Sequence, residues 1–464
     1  MTTTCTITKA GRCDTYGRPL LVGHSYTSSD DEIKSLWQAG FCSVTDAPTI
    51  FEAPSVENWL TGAMADIAPI VAAAVATNPI APLKTLCSYE HNAGILNYTI
   101  SMTYLVPRPF YGFRVRFFNL NSTPIVNAVA GAAVSRNMAG GIHVATETPV
   151  QITVGGSATF TKPAAISGGG TSSAIWSEVI SDWIRLPSVP RDDGGSGHLL
   201  VVRVQDPTAG NTSSNRCGGM GSTASDVNMY GVGSVVSGND KTFTNWGTFA
   251  IALSGLGGAI ALDFLCAEQC LTVATFGDST IAGQNNTVFN GSGALLAAMD
   301  SLTTDRPVFL WNQGESSMTS VTSLTLAETF FSGTATVNMA AMCPYSSNDT
   351  DKYTQAGVDR CLGDALIFLN LCRTSGTIPV LVTPVPYSGL TISQEGFRRA
   401  VCAGIRSIAT AHNVAIVDRD LLYTDYSTTS GGWLPALLGD GTHPGAVGYS
   451  QEKSLWAAVF ASFY

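Results

Sequence analysis

Residues 271–282, LTVATFGDSTIA, decide the fold. Leu271 to Phe276 is an unbroken apolar and β-branched run with none of the alternation of a half-exposed strand. Continuous apolarity means that both faces are covered, as in a parallel sheet between layers of helix. The run stops at Gly277-Asp278-Ser279, a small polar turn. The carboxyl end of such a strand is where open α/β sheets carry their sites. Three more runs read the same way: PVFLW (307–311), IPVLVTPVP (378–386) and NVAIVD (413–418). Helical spacing fills the gaps between them. Val358, Cys361, Leu362, Ala365, Leu369 and Cys372 recur at three and four, as do Phe397, Val401, Gly404, Ile405 and Ile408. Strand–helix–strand order implies right-handed crossovers, so residues 266–464 are expected to form a three-layer α/β domain with a parallel sheet.

Upstream the character changes. Residues 91–265 hold short β-rich runs such as YTISMTYLV, YGFRVRFFNL, VQITV and LLVVRVQD, separated by SGGGTSS, RDDGGSG and PTAGNTSSN. That pattern predicts an all-β sandwich of jelly-roll type. Residues 1–90 are mixed. Ser29 and Asp30 are placed to cap a short helix, and an Ala-rich helix is expected over about 57–77, ended by Asn78-Pro79.

Composition removes several function classes. Charged residues are 12% of the 464, about half the usual share of roughly 25%. The net charge is −10, with no dense Lys/Arg cluster, which argues against a nucleic-acid partner. The stretch Trp59–Ala76 carries Asp66 and is a poor membrane span. The N-terminus lacks the basic start and apolar core of a secretory signal. A low-charge Ser/Thr/Asn/Gly surface is common in secreted and virion proteins, but it assigns no location. The 11 cysteines lack zinc-site spacing. Cys361, Cys372 and Cys402 read as small core residues, and pairing among Cys5, Cys13, Cys42 and Cys87 is left open.

Three constellations carry chemistry. Ser279 follows a β run and can present its hydroxyl above the sheet, with its own N–H toward a developing oxyanion. In GDGTHPGAVGY, Asp440 and His443 lie three apart, so one short loop delivers both. The imidazole can take a proton from a serine, while the carboxylate fixes its tautomer. Pro444 is expected to start a helix. In PVFLWNQGESS, Asn312 and Gln313 end another β run and offer side-chain amides. Alone, each is an ordinary turn or polar loop.

Together, GDST, WNQGES and DGTHP over residues 271–464 resemble the SGNH/GDSL hydrolases. WNQGES is similar to the element of the sialic-acid O-acetylesterase-like and acetylxylan-esterase-like branch. The resemblance implies Ser279 as nucleophile, His443 as general base and then acid, and Asp440 as its orienting acid. It implies an oxyanion hole from the Ser279 N–H, a glycine (Gly291 or Gly293) and the Gln313 amide, with Asn312 as the alternative to Gln313. Glu315 takes a structural hydrogen-bonding role. The thirty or so residues between Ser279 and Gln313 are few for the family, so a missing or rearranged element is expected there. The implied activity is O-deacetylation of a carbohydrate ester, with neither metal nor organic cofactor. A general carboxylesterase or lipase, and a non-enzymatic glycan-binding protein of phage-tail type, are the alternatives. The opening LLVGHSYTSSDDEIKSLWQAGF also looks like leader segments of phage tail-associated proteins.

Gly23-His24-Ser25 mimics a nucleophile turn but has no partner histidine nearby, and it reads as a local turn. His91, His143, His198 and His412 read as structural. Trp176, Trp183 and Arg185 could stack on or hold sugars, but packing is the favoured reading.

Overall fold

The computed structural model describes residues 2–7, 25–29, 42–43, 98–119, 121–136, 147–168, 175–194, 197–207, 232–237, 260–266, 270–283, 292–301, 304–315, 317–333, 336–427 and 432–463. The chain divides into two compact units, Met1–Pro79 and Ile80–Tyr464. In the first, β1 (Thr2–Ile7) lies between β2 (Ser25–Ser29) and β3 (Cys42–Ser43), both antiparallel to it. Ser29, expected as a helix cap, is instead the last residue of β2, paired with Thr2. The helices expected beyond it, Gly23-His24, His91 and His143 lie outside the described residues.

The second unit begins with antiparallel strands: β4 (Tyr98–Val106), β5 (Phe110–Asn119), β6 (Ile125–Ser135), β7 (Val150–Ile152), β8 (Phe160–Lys162), β9 (Ser177–Ile180), β10 (His198–Asp206), β11 (Val232–Ser237) and β12 (Ile260–Cys266). They form two sheets. One runs β11-β4-β10-β6-β7, with β8 also on β6, and the other β12-β5-β9. Two buried ionic contacts belong to these sheets: Lys162 with Asp206, and Arg116 with Asp263.

Five parallel strands follow: β13 (Leu271–Gly277), β14 (Val308–Gly314), β15 (Met339–Met342), β16 (Ile378–Val382) and β17 (Ala415–Val417). Their order is β14-β13-β15-β16-β17. Every residue of β13 and β14 is buried, which is why both read as continuous apolar runs. The helices are α1 (Ser279–Ala282), α2 (Gly293–Ser301), α3 (Ser320–Ser332), α4 (Gln355–Thr374), α5 (Ile392–His412), α6 (Arg419–Tyr423) and α7 (Ala446–Ala461). A two-strand ribbon, β18 (Thr424–Asp425) with β19 (Gly432–Trp433), precedes the last of them. The chain moves one way from β13 to β14 and the other way from β15 to β17. Right-handed crossovers therefore put helices on opposite faces: α3, α4 and α5 pack side by side on one, and α2 packs on α7 on the other.

Between Ser279 and Gln313 the described residues form α1, α2 and most of β14, and β14 pairs directly with β13. Pro444 does not start α7; it bridges back to Leu438, and Gly445 is the cap. Trp311 of β14 stacks within 6.1 Å of Trp176 and 5.7 Å of Phe118, so the β-rich and α/β segments share one hydrophobic core.

Candidate active site

The strand order reverses between β13 and β15, and the crevice above that point is the favoured ligand position of doubly wound sheets. Ser279 sits there. Asp278 caps α1, its Oδ1 accepting from the Thr280 N–H (2.9 Å) and hydroxyl (2.7 Å). Its Oδ2 accepts from the Ser346 hydroxyl at 3.0 Å. The helix has one turn and closes at Gly283 in the left-handed region, φ 88°. As the first helical residue, Ser279 has no intrahelical partner for its N–H.

Glycine is required where the turn meets the strand ends. A Cβ on Gly277 would lie 2.4 Å from Ile281 Cγ1, and one on Gly314 2.4 Å from the Ala282 nitrogen.

The second loop is built around one carboxylate. Asp440 Oδ1 accepts from the N–H groups of Thr442 (2.9 Å) and His443 (2.8 Å), and Oδ2 contacts His443 Nδ1 at 2.8 Å. Gly441 takes φ 97° to close the turn, a conformation that favours glycine. Partial burial raises the Asp440 carboxyl, but the His443 hydrogen bond and the two backbone donors outweigh it, leaving it below the ordinary carboxylate value. The group is an anion at neutral pH and accepts only, so the ring turns Nδ1–H toward it. Nε2 is then left to accept, and it lies 2.8 Å from Ser279 Oγ. Ser279 is 4% exposed. The arrangement can move a proton from a serine hydroxyl to an imidazole steadied by a carboxylate.

The two amides of β14 point to opposite faces and differ in occupation. Asn312 Nδ2 donates to the Ile281 carbonyl (3.1 Å), and Oδ1 accepts from the Thr275 hydroxyl (3.0 Å) and the Gly314 N–H (2.9 Å). Asn312 is therefore a clamp on α1. Gln313, paired in register with Phe276, is fully buried, and neither its Oε1 nor its Nε2 has a hydrogen-bond partner. No hydrogen bond ties it to Ser279 or His443. Gly293 packs against Glu452 on α7, and Gly291 lies outside the described residues. Glu315 is buried, its N–H donating to the Gly277 carbonyl.

Sequence reasoning missed a layer behind the serine. Arg419, fully buried, donates to the Thr280 hydroxyl (3.0 Å) and carbonyl (3.1 Å), and through Nε to Glu452 (3.1 Å). Glu452 also accepts from Tyr423 and Trp456, each at 2.8 Å. The available signal was Tyr449, Glu452 and Trp456 on one helical face, a carboxylate between two aromatics.

Elsewhere, Trp176 is core and Trp183 lies half-buried under the Arg114 guanidinium at 4.9 Å. His198 contacts the Val189 carbonyl, and His412 lies beside Arg373. Among the described residues there is no cluster of ligands for a metal ion, and no helix is long and apolar enough to cross a membrane.

No protein-family model matches the sequence, and no curated protein matches it. Solved structures similar to it include a GDSL-like lipase from Bacteroides thetaiotaomicron, at 17% identity over 42% of this chain and 89% of that one, TM-score 0.33. A lipase/acylhydrolase from Enterococcus faecalis is similar at 18% identity over 41% and 96%, TM-score 0.32. A variant of an acetyl-xylooligosaccharide esterase from Geobacillus is similar at 13% identity over 41% and 94%, TM-score 0.32. At these scores the likeness carries no inference about this chain's chemistry.

Proposed function

We propose that this protein is a serine esterase that removes O-acetyl groups from a carbohydrate, with residues 266–464 as its catalytic part and 91–265 as an accessory part. One observation carries the reading: the continuous relay Asp440–His443–Ser279, with both links at 2.8 Å, at the carboxyl edge of the parallel sheet.

Ser279 Oγ attacks the ester carbonyl carbon as His443 Nε2 takes its proton, and Asp440 steadies the imidazolium. The carbonyl oxygen becomes an oxyanion, met by the Ser279 N–H and, in this scheme, by the Gln313 amide. Its collapse breaks the ester bond, and His443 returns the proton to the leaving sugar hydroxyl. Water, deprotonated by His443, then attacks the acyl-enzyme, and acetate leaves as the serine is restored. Gln313 takes its place in this scheme from the resemblance of WNQGES.

The resemblance of WNQGES and the low-charge polar composition support an acetylated sugar over a lipid chain. The test is hydrolysis of p-nitrophenyl acetate, butyrate and octanoate beside acetylated xylo-oligosaccharides. Acetate preference with release from the oligosaccharide supports the reading. Octanoate preference makes the protein a general carboxylesterase or lipase, and binding of the oligosaccharide without turnover makes it a glycan-binding protein.

A further inference from the structure

The nucleophile turn is too short to hold itself. A helix of one turn fixes several dihedrals for little hydrogen-bonding return. Asp278 and Asn312 hold α1 at its cap and at Ile281. Its remaining side rests on Arg419, whose two Nη groups bind the carbonyl and hydroxyl of Thr280, the residue after the serine. Arg419 is in turn fixed by Glu452, and the pair is 0% and 1% exposed.

Glu452 lies on α7, the helix that follows the His443 loop. The pair thus ties the element carrying Ser279 to the element that follows His443. Close approach is built in: a Cβ on Gly293 would lie 2.7 Å from Glu452 Cγ, and one on Gly448 2.9 Å from Tyr423 Cε1. Burial works against the Arg419 charge, but the adjacent Glu452 carboxylate keeps it above the ordinary guanidinium value.

Resting on the esterase reading above, we propose that Arg419 and Glu452 are positioning residues that set the reach of Ser279 Oγ to His443 Nε2. A buried ion pair is a weak source of net stability, because desolvation offsets its attraction. Holding one geometry is a use that such a pair can serve.

The test compares wild type with Arg419→Lys, Thr280→Val and the double variant Arg419→Met/Glu452→Leu. The double variant removes both charges together and so avoids an uncompensated buried charge. Turnover of p-nitrophenyl acetate is measured per serine titrated with a fluorophosphonate, with melting followed in parallel. The expected result is a kcat at least tenfold lower in the double variant with KM within about twofold, a several-fold loss in Thr280→Val, and partial retention in Arg419→Lys. A double variant that melts cooperatively and turns over at the wild-type rate overturns the proposal. Should it not fold, Thr280→Val decides, and an unchanged kcat there overturns it equally. Wild type without Ser279-dependent turnover sinks the esterase reading and this inference with it. Wild-type turnover with unaffected variants sinks the inference alone.

Discussion

His443 Nε2 lies 2.8 Å from Ser279 Oγ although 164 residues separate them in the chain. Neither residue belongs to a strand: Ser279 opens the one-turn helix α1, capped by Asp278, and His443 sits on a loop whose backbone Asp440 fixes. A proton relay so placed is specified by two local turns and by one sheet that brings them together.

Breaking the relay at its ends has graded effects. His443→Ala removes the base and should lower kcat by several orders of magnitude. Asp440→Asn keeps the volume but offers an amide to Nδ1, so the wrong tautomer becomes populated. A loss of roughly 10²–10⁴-fold in kcat is expected, read from steady-state kinetics on p-nitrophenyl acetate. No loss would move the acid role to another carboxylate, Glu315 first.

Gln313 should trade stability against turnover. Its amide atoms are buried without partners, so Gln313→Met replaces two orphaned polar atoms with an apolar chain of similar length. The melting temperature is expected to hold or rise while kcat falls about 10²–10³-fold and KM changes little. A variant that keeps its turnover would leave the oxyanion to backbone donors.

Asn312 should behave differently, because its amide is saturated by Thr275, Gly314 and Ile281. Asn312→Ala is expected to lower the melting temperature together with activity, since it strands buried backbone groups at about 1–3 kcal/mol. Gly314→Ala, with its Cβ 2.4 Å from the Ala282 nitrogen, should cost about 1–3 kcal/mol or more and displace the serine turn. Denaturant unfolding of both variants checks this. A Gly314→Ala protein of native stability would contradict the close packing of β14 on α1.

Acid stability should depend on Asp420. Burial raises its carboxyl, but Arg398, with hydrogen bonds from Tyr426, Arg406 and Thr424, outweighs that and lowers it to about 2. A lowered folded-state value stabilises above the unfolded value near 3.9, and that contribution is lost as pH falls toward 2. Asp420→Asn should therefore be less stable by about 2 kcal/mol or more at pH 7, where it also leaves the buried Arg398 underpaired. The titration-linked part of the gap should shrink between about pH 4 and pH 2. A gap independent of pH over that range would show that the carboxylate charge is not the source.

The parallel sheet was legible because its strands are buried on both faces, and an unbroken apolar run has few other readings. The exception is Met339–Met342, MAAM, four residues without a β-branched side chain. The serine and the DxxH loop were legible because short turns specify them locally. Arg419 and Glu452 were not, since a charge inside an apolar segment acquires meaning only from a partner 33 residues away. The distinction between Asn312 and Gln313 was also hidden, because alternation puts neighbouring amides on opposite faces and only the three-dimensional surroundings show which one is engaged.

The most direct test of the central claim is covalent. The protein is treated with a fluorophosphonate and the modified peptide located by mass spectrometry, for wild type and Ser279→Ala, beside their turnover of p-nitrophenyl acetate. The account predicts stoichiometric modification of wild type at Ser279, with both labelling and turnover lost in the variant. Labelling at another serine, or turnover undiminished in Ser279→Ala, would contradict it.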